Sequence, residues 1–326
     1  MKNPVATAIR LLATLCMTLA PALASAQAFP AKPVRIIVPF PAGGLTDVVA
    51  RALGQDLTKS WAIPVLVENR PGANQQIAAE YVSKQAGDGY TVMFTDKTPF
   101  AILPALYSKL PYDAVKDFTP VVGIMQTATV LVVPAALPAN TWQEFVALAR
   151  AKPGALNYGT FGPGSVTHLD TEALSGMVGI KLNHIPYKGI AEVLPAVAAG
   201  QIQTALSGIS PVIPFIKQGR LKALALAAPQ RSPVLPDVPT FTELGVPLVS
   251  ISWFGLMAPA GTPRPVIDKI AADVTRAINL PEFRDKYITG VGLEVFNQGP
   301  DQLAATLNSD RARYATSVKN ANIKLD

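Results

Sequence analysis

Short apolar runs rich in β-branched residues alternate along this chain with longer stretches whose apolar residues recur at helical spacing. Val34–Val38 reads as a buried strand ended by Pro39 and Pro41, and Val48, Val49, Ala52, Leu53 and Leu57 mark one face of the helix that follows. Strand Pro64–Glu68, a helix over Gln75–Ala86 and strand Tyr90–Thr95 come next, then a helical segment from Pro99 to Tyr107 and strand Phe118–Met125. A second unit repeats the order with run Ala128–Val133, a helix capped by the Thr141/Glu144 pair, strand Leu156–Tyr158 and a helix from Ser165 to Ser175. Lys181–Ile185, Gln203–Ser207 and Ala223–Ala227 read as strands, with helices Ile190–Ala199 and Pro211–Lys217 between them. Trp253–Ala258 reads as a strand returning to the first unit. Thr262 caps and Pro263 opens a helix to Asn279, and a last helix runs from Pro300 to about Asn320. Strands separated by helices predict an α/β fold with parallel pairing and helices on both faces.

Two stretches share one geometry. After Val34–Val38 the chain runs through Phe40, Pro41, Ala42, Gly43 and Gly44 into a helix that Thr46 or Asp47 can cap. After Leu156–Tyr158 it runs through Gly159–Gly164 into a helix capped by Ser165. Glycines let a ligand approach backbone N–H groups, and a helix start presents free N–H groups and the positive end of its dipole. Each loop therefore reads as a seat for a small anion, against the plainer reading of a strand–turn–helix corner. Neither loop has the Gly-Lys-Ser/Thr ending of a phosphate loop or the G-x-G-x-x-G dinucleotide fingerprint, which disfavours nucleotides. Lys97 and Thr98 follow strand Tyr90–Thr95 at the strand end, where Lys97 either pairs with a second ligand carboxylate or is a solvated loop lysine. Phe40 and Phe161 are placed as cleft walls and Trp253 as core.

Charge and composition narrow the chemistry. Residues 1–26 carry Lys2 and Arg10, an apolar run from Leu11 to Leu23 and the small residues Ala24-Ser25-Ala26, the pattern of a secretory signal cleaved after Ala26. The only cysteine, Cys16, lies inside that leader, so the mature chain has no disulfide, thiol nucleophile or zinc thiolate. Its 26 basic and 22 acidic residues leave a scattered +4, which suits a small acidic ligand and argues against nucleic acid. The two histidines, His168 and His184, supply no metal-ligand spacing. His168 beside Ser165 lacks a G-x-S-x-G elbow and is read as a helix-start hydrogen-bond donor at the cleft, with His184 as core or cleft wall. Lys188 is read as structural or on the rim.

Ordered motifs across the mature chain carry a resemblance. They are Pro39–Gly44 with Asp47 and Ala50-Arg51, Glu68-Asn69-Arg70-Pro71-Gly72-Ala73, Asp88-Gly89-Tyr90-Thr91 and Leu110-Pro111-Tyr112-Asp113. Further on come Tyr158–Ser165 with His168-Leu169, Pro186-Tyr187-Lys188-Gly189 and Ala258-Pro259-Ala260-Gly261-Thr262-Pro263. In these the chain resembles the Bug-type (UPF0065-like) periplasmic solute-binding receptors of tripartite tricarboxylate transporters. The resemblance implies a two-domain Venus-flytrap fold of the periplasmic-binding-protein type (type II-like) with two interdomain crossings. It also implies a carboxylate held by backbone amides at Pro39–Gly44 and covered by the Gly159–Ser165 loop. The expected division is 1–26 leader, 27–125 plus 250–326 first domain, and 126–249 second domain.

The candidate ligand-binding residues are thus Phe40, Pro41, Ala42, Gly43, Gly44 and Asp47 in the first seat and Asn74, Lys97 and Thr98 beside it. Thr160, Phe161, Gly162, Gly164, Ser165 and His168 form the second. Where the family has glycines after Ala73, this chain has Asn74-Gln75-Gln76, amides that either reach the ligand or cap a helix. Where the family often has an acid, it has Gln203, which, with Lys97, points to a non-amino mono- or dicarboxylate, aliphatic or aromatic. Expected partners are that ligand and the membrane permease subunits of a tripartite tricarboxylate transporter. The protein is expected to be a periplasmic monomer without cofactor, metal or catalytic residue. The rival readings are a receptor that signals rather than transports and an exported hydrolase using Ser165 or Thr160 with His168.

Overall fold

The computed structural model describes residues 29–187 and 189–321; the leader expected over 1–26 and Lys188, read as structural or on the rim, lie outside them. The chain opens with β1 (Val34–Val38), α1 (Leu45–Trp61), β2 (Val65–Asn69), α2 (Gln76–Ser83) and β3 (Thr91–Asp96). A π-helical turn over Thr98–Ile102 leads into α3 (Leu103–Leu106) and the long strand β4 (Phe118–Pro134). Then come α4 (Trp142–Ala151), β5 (Asn157–Thr160), α5 (Val166–Val178), β6 (Asn183–Pro186), α6 (Ile190–Ala198), β7 (Thr204–Gly208), α7 (Ile209–Lys217) and β8 (Leu221–Ala227). The last elements are β9 (Ile251–Pro259), α8 (Arg264–Asn279), α9 (Pro281–Tyr287), β10 (Glu294–Gln298) and α10 (Pro300–Ala321).

All ten strands among the described residues join one sheet in the order β2-β1-β3-β9-β4-β7-β5-β6, with β8 and β10 also on β4. Parallel pairing holds within β2-β1-β3 and within β6-β5-β7, as the helical crossovers require. β9 enters antiparallel between β3 and β4, so the sheet is mixed. The sequence reads Phe118–Met125 and Ala128–Val133 as two strands. The structure makes them one, which pairs with β9 up to Ala128 and with β7 from Thr129 onward. Period-two alternation builds a core on each face of each half. Ile36 and Val38 face α1 and α8, and Ile37 and Met93 face α2 and α10. Leu131 and Val133 likewise face α4, and Val130 and Val132 face α6 and α7.

Register places the strand ends. Asp96, the last residue of β3, pairs with Phe254, which pairs with Met125 of β4. Gly208, the last residue of β7, pairs with Thr129 of the same strand, and Gly159 of β5 pairs with Ala205 of β7. The carboxyl ends of the strands in both halves therefore converge on one line across residues 125–129 of β4. The crevice beyond strand carboxyl ends is where α/β sheets bind ligands.

Two caps differ from expectation. The N-cap of α1 is Gly44, without a side-chain bond, because Asp47 turns back to the N–H of Gly43 instead. Thr262 donates its hydroxyl to the Pro259 carbonyl, leaving Pro263 as the N-cap of α8. The Thr141/Glu144 capping box forms as read.

Candidate functional site

The loop from Phe40 to Gly44 leaves β1 at the line of converging strand ends, and Pro41, Ala42, Gly43 and Gly44 are exposed there. Gly43 sits at φ +81, a left-handed conformation that a side chain would strain. Among the described residues no acceptor meets the first N–H groups of α1, those of Leu45, Thr46 and Asp47. Asp47 points the other way. Its carboxylate accepts from Gly43 N–H at 2.9 Å, Asn69 Nδ2 at 2.9 Å and Arg51 Nε at 3.0 Å, and it is almost fully buried. Burial by itself would raise this carboxyl, but the Arg51, Gly43 and Asn69 bonds outweigh it and hold the group below the usual range. With its lone pairs taken up internally, Asp47 shapes the loop rather than offering an oxygen to a ligand, a correction to its expected role.

The second loop is built alike. Ser165 caps α5 by accepting from His168 N–H at 3.3 Å, and the next free N–H groups belong to Val166 and Thr167. Gly164, at φ +72, donates its N–H to His168 Nδ1 at 3.0 Å. In the neutral ring the hydrogen is therefore on Nε2, which meets no acceptor among the described residues. His168 stacks on His184 at 4.0 Å between ring centres, and His184 stacks on Tyr158 at 5.0 Å. Burial, then the charge of His184, pulls the His168 ring down to about 4, and burial lowers His184 too, so both rings are neutral near pH 7. Thr160 Oγ1 shares a 2.6 Å hydrogen bond with His184 Nε2 and also accepts from Gly162 N–H. Phe161 stands exposed at the loop tip, while Phe40 is half-buried against Phe254.

Neither Ser165 nor Thr160 pairs with the His168 ring. Ser165 Oγ lies 3.2 Å from Thr167 Oγ1 and touches only the backbone of His168, and Thr160 pairs with His184 instead. Among the described residues no group of three or more histidine, cysteine or acidic side chains is placed to hold a metal ion.

Beside the first loop, Ala73, Asn74 and Gln75 form a left-handed turn with φ of 46, 49 and 74 degrees. Asn74 is exposed, whereas Gln75 turns inward, donating to Asp96 Oδ1 and accepting from the Thr95 hydroxyl. Thr98 is buried, its N–H donated to Asp96 Oδ1 at 2.8 Å. Lys97 corrects both sequence readings, since its side chain is 1% exposed. It donates to the Ile251 carbonyl at 2.6 Å, so it is neither solvated nor open to a ligand. Burial drags its ammonium down to about 8. Gln203 is corrected as well. It bonds Asn157 N–H and the Gly200 carbonyl at the amino ends of β7 and β5, away from the converging strand ends, so its lost charge says nothing about the ligand.

Both glycine loops thus leave the strand ends that meet at one line, each with free helix-start N–H groups. Over residues 49–323 the sequence matches the Tripartite tricarboxylate transporter family receptor, TctC. The chain belongs to this family. As a TctC-family receptor it is similar to BugT of Bordetella pertussis, 33% identical over 303 residues that cover 92% of this chain and 93% of that one. Its structure is similar to that of Rpa4515 of R. palustris with adipate (31% identity, TM-score 0.82, covering 91% of this chain and 99% of that one). It is also similar to MatC of Rhodopseudomonas palustris with bound malate (32%, 0.78, 89% and 100%). The receptor shares the two-domain periplasmic-binding-protein fold of these neighbours. No helix among the described residues is long and apolar enough to cross a membrane.

Proposed function

We propose that this TctC-family receptor captures a small carboxylate between the Phe40–Gly44 and Phe161–Ser165 loops and delivers it to the permease of a tripartite tricarboxylate transporter. The observation that carries the reading is the convergence of two helix starts, α1 and α5, from opposite halves of the sheet. The proposed lobes are 27–125 with 250–326 and 126–249, supported by the change of partners along β4 at Ala128 and Thr129. The carboxylate docks on the free N–H groups of Leu45, Thr46 and Asp47 at the start of α1. The second lobe then swings over it about the two crossings and adds the N–H groups of Val166 and Thr167 with His168 Nε2–H. These groups bind and orient the ligand, and the reading is a receptor without enzymatic activity, as its solute-binding family supports. It works in the periplasm, as the leader expected over 1–26 would direct.

The proposed cargo is a non-amino mono- or dicarboxylate. The acids nearest the loops are engaged: Asp47 by Arg51 and Asn69, Asp96 by Gln75 and Thr98, and Glu172 by the Tyr158 hydroxyl. None is left for an α-ammonium group, and the adipate- and malate-bound relatives point the same way. The test is a thermal-shift screen of Gln27–Asp326 against mono-, di- and tricarboxylates, aromatic acids and amino acids. A ligand at a hundredfold excess over its Kd adds about 2.7 kcal/mol. A shift from one carboxylate class, lost in Gly43→Val and Gly44→Val, is the expected result. A shift from amino acids alone overturns the cargo class, and a shift unchanged in both variants overturns the site.

A further inference from the structure

Four charged side chains from three elements gather where the lobes join. Asp170, on α5 of the second lobe, is fully buried and accepts from the hydroxyl of Ser250 in the crossing segment. Ser250 is tied to the end of β8 and to the crossing strand β4, donating its N–H to the Ala227 carbonyl at 2.9 Å and accepting from Thr129 N–H at 3.1 Å. Lys97, at the end of β3 in the first lobe, donates to the Ile251 carbonyl and lies 3.8 Å from Asp310 Oδ1 of α10. Asp310 also accepts from Trp253 Nε1 at 2.7 Å. Arg313 bonds the Val249 carbonyl at 2.8 Å and the Tyr314 hydroxyl at 2.7 Å, while its Nε is buried without a partner.

Removing charge from water is costly, and a buried cation or carboxylate is tolerated only where opposite charges and donors stand in fixed places. Here the compensating groups belong to different lobes. Asp170 comes from the second, Lys97, Asp310 and Arg313 come from the first, and Ser250 comes from the strand between them. One turn of α5 carries three distinct contacts. His168 faces the candidate cleft, Leu169 packs in the first lobe's core with Trp253 and Tyr314, and Asp170 bonds Ser250 within the field of the Arg313 and Lys97 charges. A helix moves as a rod, and Asp170 lies only about 7.5 Å along the axis from Ser165. Any tilt of α5 at Asp170 is therefore transmitted to the loop that closes over the ligand.

We propose that Asp170 is a positioning residue that, through Ser250, Lys97 and Arg313, sets the angle between the lobes and so places the Ser165–His168 turn over the Phe40–Gly44 loop. Its consequence for binding rests on the receptor reading, whereas the lobe angle does not. The test therefore uses ligand-free protein. The mature chain has no cysteine, so Lys59→Cys and Lys217→Cys place one spin label on an exposed position of each lobe. Pulsed electron double resonance then reads the interlobe distance. Asp170→Ala is expected to displace the distribution or widen it about twofold, because the lobes then sample more angles. Lys97→Met is expected to do the same, and Asp170→Asn, which keeps a partner for Ser250, to fall between. Lower melting temperature alone would mark a merely structural residue. Should Asp170→Ala not fold, Ser250→Ala removes one bond and no charge and takes its place. A folded variant with the wild-type distribution in either case overturns the proposal. A receptor that binds no carboxylate in the screen sinks the receptor reading and leaves this result standing.

Discussion

Among single residues, two that the sequence offers as ligand contacts, Asp47 and Lys97, are engaged within the protein itself. Asp47 closes the first loop onto its own helix, with three donors on a carboxylate that is almost fully buried. Asp47→Ala is expected to destabilise the protein by about 2–4 kcal/mol in urea denaturation and to weaken carboxylate binding as the Gly43 turn loosens. His168 gives a pH signature. Its folded value, about 4, lies below the ordinary 6.5, so on acidification the unfolded chain takes up the proton first. Stability therefore falls as pH drops from 6.5 towards 4, by about 3 kcal/mol. Denaturation curves at a series of pH values should show that loss in the wild type and a flatter profile in His168→Gln. Both histidines could be found in the sequence, but not their 4.0 Å stack, because the residues stand sixteen positions apart on a helix and a strand.

At the scale of elements, local periodicity was a good guide wherever one face of a helix or strand is buried. β1, β3, α4 and α8 stand close to where their apolar spacing puts them. The short α9 and the half-exposed β10 carry no such pattern, and they are the elements that sequence reading leaves out. The sequence predicts a helix from Gln75, with Asn74-Gln75-Gln76 either reaching the ligand or capping it, and the structure forms a left-handed turn over Ala73–Gln75 instead. Three successive left-handed residues, none of them glycine, persist because Gln75 is pinned to Thr95 and Asp96. Ala73→Gly is expected to stabilise the fold by about 1 kcal/mol, since glycine takes this conformation without the Cβ clash. A lower denaturation midpoint for that variant would show that the turn is not strained at Ala73.

At the scale of the whole molecule, a continuous β4 and the start of β9 tie two half-sheets together, and charge is buried where they meet. Lys97 reports on that burial. Its folded value of about 8 lies below the ordinary 10.5, so between those values the unfolded chain holds more protons. Stability is expected to rise as pH climbs from about 8 to 10.5, and a wild-type profile as flat as that of Lys97→Met would show that the ammonium is not buried in solution. The sequence by itself determined the alternation of strands and helices, the two glycine loops at helix starts and the family, because those features lie in short-range period and in contiguous motifs. Tertiary structure alone decided that Lys97 turns inward, that Asp47 is saturated, that Gln203 bonds at the amino ends of β5 and β7 and that Asp170 meets Ser250. The physical reason is that a side chain at a loop or strand end takes the direction its partners allow. The partners of Lys97 are Ile251 and Asp310, brought to it by packing rather than by neighbouring sequence.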